Sequence, residues 1–262
     1  MFSNMYSSLA VLGLAALSSA MPLVTPDHVP QVGTSTTDVK TFAAASFSCS
    51  SPVSGLSASD CNYMSQIGMA GQGTNARSNN GNIWIGSDGP NKFLYTNRAN
   101  TPIILIVWDN PPNDYQSSFM NVRTSKISYS LAAGASVTVS MANGVSGGWS
   151  ALYNHKTTLS QYGQIYNTWA EFTTGNYATV DISREVNMGG NTMDAKVSTG
   201  CTTNMNTCAF VCKSGNTCGT SGSYDLINCS GKNAAYGLYN GNPSGGCQGW
   251  SNGSGRIDAS FY

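Results

Sequence analysis

Apolar and polar positions alternate with a period of two along much of the chain, most clearly from Trp169 to Met188. Trp169, Glu171 and Thr173 fall on one face, with Ala170 and Phe172 on the other. Past the Gly175-Asn176 turn signal, Tyr177, Thr179, Asp181 and Ser183 share a face, opposite Ala178, Val180 and Ile182. This alternation predicts a β-hairpin with one apolar and one polar side. A loop of odd length, such as Gly175-Asn176-Tyr177, sets Phe172 opposite Val180 and Glu171 opposite Asp181. A slip of one residue would oppose Glu171 to an apolar side chain, which burial of one face forbids. Opposed residues have Cβ atoms about 4.5–5.5 Å apart, where like charges repel. Glu171 and Glu185 are the only glutamates in the chain. Setting one of them across from an aspartate has no structural benefit, so the pair is the first functional candidate.

Similar short runs predict strands at Asn82–Gly86, Lys92–Asn97, Ile103–Trp108, Phe119–Arg123, Lys126–Leu131, Ser136–Met141 and Trp149–Tyr153. Turn signals such as Asp88-Gly89-Pro90, Asn110-Pro111-Pro112-Asn113 and Asn143-Gly144 separate them. Many short strands at this spacing indicate a sandwich or flattened barrel. Further on, Asp194–Ser198 and the alternating tail Gly255–Tyr262 are strand candidates, the tail rejoining the sheet. The one helical signal follows Ser57, an N-cap, with Cys61, Met64 and Ile67 recurring at helical spacing. The domain expectation is therefore a short helical and linker extension over 49–81 and a β domain over 82–262. Residues 200–229, rich in cysteine and too polar for a core of their own, are expected to be stapled loops.

Residues 1–20 read as a secretory signal peptide, with an apolar core at Leu9–Leu17 and a small-residue cleavage site at Ser18-Ser19-Ala20. That core is too short for a bilayer, which takes about 20 residues. Residues 21–48 carry three prolines and no apolar periodicity, as a flexible leader or pro-segment would. Charged residues make up 9% of the chain and the formal net charge is zero, so neither nucleic acid nor a membrane surface is an expected partner. A monomer is expected. The eight cysteines, Cys49, Cys61, Cys201, Cys208, Cys212, Cys218, Cys229 and Cys247, suit four disulfides in an oxidising compartment. Cys49–Cys61 is the one pairing that proximity suggests. The rival, a zinc site in the 201–218 cluster, has intervals of six, three and five residues where zinc usually takes pairs two to four residues apart, and no His lies nearby; no metal or cofactor is expected. Asn228-Cys229-Ser230 and Asn252-Gly253-Ser254 are N-glycosylation sequons, the first beside a cysteine.

The order of Asn100–Trp108, Leu131–Val139, Gly148-Trp149-Ser150, Ala170-Glu171-Phe172-Thr173, Val180-Asp181-Ile182-Ser183, Val186-Asn187-Met188 and Gly200-Cys201 resembles the thaumatin-like proteins, the osmotin and thaumatin type with secreted fungal members. The resemblance spans roughly 92–201; residues 1–80 have no counterpart. It implies an all-β fold, a thaumatin-like β-sandwich with a small disulfide-rich loop region, secreted to the cell exterior or cell wall. It also implies an acidic cleft that binds cell-wall β-1,3-glucan and in some members hydrolyses it as an endo-β-1,3-glucanase. The family's first acid matches Glu171 and its second Asp181; Glu185 lies one residue early for the third and differs in type. Typical members have many more cysteines. The family arginine after Gly-Trp-Ser is replaced by Ala151, and no fifth, acidic counterpart is present. Binding is thus implied more strongly than catalysis.

Glycoside hydrolysis uses two carboxyls in different protonation states, about 5–5.5 Å apart for retention and about 6.5–9.5 Å for inversion. Two close carboxylates split their pKa values, which casts Glu171 as proton donor and Asp181 or Glu185 as base or nucleophile. Trp149, Tyr153, Trp169 and Tyr177 are the rings available to stack on a sugar, though any one of them is more often a core residue. The bland alternative is ordinary surface ion pairing, Asp181 with Arg184 or Glu185 with Lys156. At the level of the whole protein, the rival to a glucan binder is a secreted interaction protein, an effector or antigen, that keeps the fold without the cleft chemistry. With only His28 and His155 and no Gly-x-Ser-x-Gly, no nucleophilic triad is available.

Overall fold

A computed structural model describes residues 47–262; the signal-peptide expectation and nearly all of the leader lie outside the described residues. In chain order the elements are α1 (Ala58–Gln66), β1 (Ile83–Ile85), β2 (Asn91–Asn97), β3 (Ile103–Asp109), β4 (Ile127–Leu131), β5 (Ser136–Met141), β6 (Ser146–Tyr153), β7 (Trp169–Thr173) and β8 (Thr179–Ser183). Then come β9 (Met193–Val197), β10 (Thr202–Asn204), β11 (Ala209–Cys212), β12 (Tyr224–Ile227), β13 (Ala234–Tyr239), β14 (Asn242–Gln248) and β15 (Gly255–Phe261). The fold is all-β, in two sheets. The six-stranded sheet runs β1-β5-β2-β15-β9-β10; the nine-stranded sheet runs β12-β11-β8-β7-β6-β3-β4, with β14 on β8 and β13 on β14.

The alternation read from sequence decides which faces meet. Ile83, Phe93, Tyr95, Val139 and Ile257 from one sheet pack on Leu105, Val107, Trp149, Ala170, Phe172 and Val180 from the other, all buried. Phe93 is the hub, meeting Phe172, Trp250 and Trp149 edge-on at centroid distances of 5.0, 5.6 and 5.7 Å. Such contacts add about 0.5–1.5 kcal/mol each beyond burial. β15 lies in the middle of its sheet, parallel to β2 over seven residue pairs and antiparallel to β9.

The nine-stranded sheet is also covered on its outer face. Ser57 caps α1 by accepting from the Asp60 amide, and the helix lays Cys61, Tyr63 and Met64 against Ile104, Ile106, Trp108, Leu152 and Trp169. The Cys49–Cys61 bridge ties the strand-like entry to the helix. Side chains between Cys49 and Met69 thus form a layer over this apolar sheet face.

Two expectations about elements are corrected. Residues 119–123 are a turn, held by local bonds from the Phe119 amide to the Gln116 carbonyl and from the Val122 amide to the Phe119 carbonyl; Met120 plugs the outer core. Residues 200–229 contain β10, β11 and β12, and Phe210, Tyr224 and Leu226 form a small buried cluster of their own. All eight cysteines are paired: 49–61, 201–247, 208–229 and 212–218. No thiolate is left for zinc, and the close sulfurs of Cys201, Cys208 and Cys247 belong to two neighbouring bridges. Among the described residues no helix is long and apolar enough to cross a membrane.

Candidate functional site

The hairpin β7–β8 has the expected register, Glu171 opposite Asp181 and Phe172 opposite Val180. Its connection is the five residues 174–178, which keeps the odd parity. Within each pair the side chains share a face, so the apolar members enter the sandwich and the acids point outward from it. Next across the sheet, Gly148 of β6 stands beside Glu171, and Trp108 of β3 beside Gly148. A Cβ on Gly148 would come within 2.5 Å of the Trp108 ring. The indole therefore lies over bare backbone, with its edge on Trp169 at 4.9 Å.

On the other flank β8 forks. β14 pairs with it at Thr179 and Val180, whereas β11 runs parallel to it from Ile182. Asp181 sits in the fork. Phe210 pairs with Ser183 and Leu226 with Phe210, so the apolar cluster of Phe210, Tyr224 and Leu226 lies on the acids' side of the sheet. We call the resulting arrangement the carboxyl trough: Glu171, Asp181 and Glu185 lie between the Trp108–Trp169 cluster and the Phe210–Tyr224–Leu226 cluster, both almost fully buried.

The electrostatics follow from that setting. Asp181 is 4% exposed, and its Oδ1 is buried without a hydrogen-bond partner among the described residues. Burial first, then the charges of Glu171 and Glu185, push its carboxyl well above the usual range. Glu171 is half-buried, and desolvation raises it to about 7. Glu185 is raised to about 8 by desolvation and by Glu171. The Tyr224 phenol, which the register places on the same face, is pushed up to about 12 by burial and by the charges of Glu185 and Glu171. Three such carboxyls cannot all be ionised at neutral pH. Nor do the ion pairs of the bland alternative form: Arg184 donates to the backbone carbonyls of Met205 and Met188, and among the described residues no salt bridge includes Glu171, Asp181 or Glu185. The three carboxyls do not gather their oxygens within 4.8 Å as a cation-binding triple would.

The stacking candidates are mostly corrected. Trp149 is fully buried on the opposite face, wedged on Phe93 and Tyr95. Trp169 is on the acids' face but 5% exposed, its indole N–H donating to the Ile165 carbonyl at 2.8 Å. Tyr153 is largely buried in the core as well, though it also lines a polar pocket on the flank of the sheet. Tyr177 alone is open, 58% exposed in the hairpin turn. Sequence reasoning missed Trp108 and the wall of Phe210, Tyr224 and Leu226; the alternation in Tyr224-Asp225-Leu226-Ile227 was the available signal. Of the two sequons, Asn228 is exposed with its amide nitrogen donating to the Asn206 carbonyl, and Asn252 is exposed in a bend.

The structure is similar to that of a thaumatin-like xylanase inhibitor, with a TM-score of 0.32 and 14% identity, over 64% of this chain and 97% of that one. No family model matches the chain. No curated protein matches it either. The two sheets, the four disulfides and the carboxyl trough stand on the chain's own geometry.

Proposed function

We propose that the protein is a secreted carbohydrate-binding protein whose carboxyl trough holds cell-wall β-1,3-glucan. The observation that carries this reading is the buried Asp181 carboxyl, with an oxygen lacking any protein partner, opposed to Glu171 between two apolar walls. A protonated carboxyl both donates and accepts, which suits vicinal sugar hydroxyls. The four disulfides favour an extracellular setting, where such bridges persist. The test is retention on insoluble β-1,3-glucan with soluble oligomers as competitor. Glu171→Gln and Asp181→Asn should each weaken retention about tenfold without lowering Tm. A wild-type protein that stays in the supernatant overturns the reading and leaves the secreted interaction protein.

One observation favours hydrolysis as a second reading: Glu171, raised to about 7, is suited to give a proton near neutral pH. In that reaction Glu171 protonates the glycosidic oxygen as the C–O bond breaks, and water completes the sugar with the help of Asp181 or Glu185. Release of reducing ends by wild type and its loss in Glu171→Gln supports it; equal release by the variant ends it.

A further inference from the structure

A polar pocket of about 410 Å³ opens on the flank of the nine-stranded sheet, within the range of small-molecule sites. Its walls include Asn154, Lys156, Tyr166, Asn187 and Asn191, and no carboxylate lines it. The side chains of Asn154, Lys156 and Asn191 make no hydrogen bond or ion pair with any described residue, so their donors and acceptors are free to meet a ligand.

The pocket is built rather than incidental. The turn after β6 holds two successive non-glycine residues in the left-handed region, Asn154 at φ 44° and His155 at φ 50°. Asn and His enter this region more readily than most residues, and side-chain contacts hold the turn in place. His155 Nε2 sits 2.6 Å from Asp60 Oδ1, and its ring stacks on Tyr63 at 4.6 Å. The helix layer thereby holds the turn that presents Asn154 and Lys156. On the far wall, Asn216 Nδ2 donates to Tyr166 Oη at 2.7 Å and to Asn187 Oδ1 at 3.0 Å.

The pocket also adjoins the trough. Asn187 is two residues beyond Glu185, hence within about 7 Å along the backbone. The segment 216–218 is strapped to both: the Cys218 amide donates to the Glu185 carbonyl at 2.8 Å, and Thr217 Oγ1 to the Val186 carbonyl at 3.0 Å.

We propose that this asparagine-lined pocket is a second sugar subsite, holding one β-linked glucosyl unit of a chain whose neighbouring units lie on the trough. The inference rests on the glucan reading of the trough. Amide side chains that each donate and accept match paired ring hydroxyls, and the absence of a carboxylate separates this subsite chemically from the trough.

Gly189 offers the means to test it. It is exposed and lines the pocket, and a Cβ there meets only Asn187 Oδ1 at 3.4 Å and Asn216 Oδ1 at 3.8 Å, so Gly189→Trp places bulk at the pocket edge without backbone strain. The experiment is amide NMR titration of the full protein with a β-1,3-linked glucose hexasaccharide, on wild type, Gly189→Trp and Asp181→Asn. The expected result is shifts at both 154–156 and 187–191 and at the trough, with Gly189→Trp losing the pocket shifts and at least tenfold in affinity. Shifts at the trough alone, or pocket shifts and affinity unaltered in Gly189→Trp, overturn the subsite and spare the glucan reading. Shifts at the pocket alone keep a sugar site there and overturn the trough; shifts at neither overturn both.

Discussion

At the scale of single residues, the trough is an arrangement of protons. Glu185, Glu171 and Asp181 all have folded-state pKa values above the ordinary carboxyl range, whereas unfolded they titrate near about 4. Between those limits the folded state binds more protons, so stability is highest at acid pH and falls as pH rises from about 4 through about 8. The expected outcome is a lower Tm at pH 8 than at pH 5, and a flatter profile with a higher Tm at pH 8 for Asp181→Asn. Thermal unfolding at the two pH values checks it; 1 kcal/mol corresponds to about 2–4 °C in a domain of this size. The acids were legible in sequence because alternation and register set their positions. The rings were not, because alternation assigns a face and says nothing of what covers it. Trp169 shares the acids' face and is buried all the same, under α1 and the segment around Ile165.

At the scale of elements, the hairpin β7–β8 works through its neighbours. Gly148 lets the Trp108 ring lie flat beside Glu171. Gly148→Ala should push the indole toward the carboxyl, destabilising the protein by about 1–3 kcal/mol and weakening glucan retention; urea unfolding and retention on glucan read the two effects. Strands rich in Val and Ile, such as the continuous apolar run of β3 and the alternating β5, were plain in sequence. β13 and β14 were not, since Ala, Gly, Asn and Pro are poor strand residues. Their turn did carry a signal, because Asn240 and Gly241 take φ of 49° and 79°, as an Asn-Gly hairpin turn requires. Phe119–Arg123 misled in the opposite sense: apolar residues at strand spacing form a turn when a buried plug, Met120, is what the outer core requires.

At the scale of the whole molecule, the parts are held by pairings between distant segments. Cys201–Cys247 joins the end of the β9–β10 hairpin region to β14 across 46 residues, next to the fork that frames Asp181. In the chain-entropy account a loop of that length contributes about 4 kcal/mol. Replacing both cysteines by Ala should lower the unfolding free energy by roughly that amount and loosen the trough, seen as faster amide exchange at residues 180–183. The central place of β15 has a consequence for how the chain is made. Until residues 255–261 leave the ribosome, the edges of β2 and β9 that β15 covers in the finished sheet have no partner strand. At about 5–20 residues per second, β2 waits on the order of ten seconds or more for its neighbour. Edges left in that state are templates for pairing with another chain, and β15 is the one strand that removes them from both halves of the sheet.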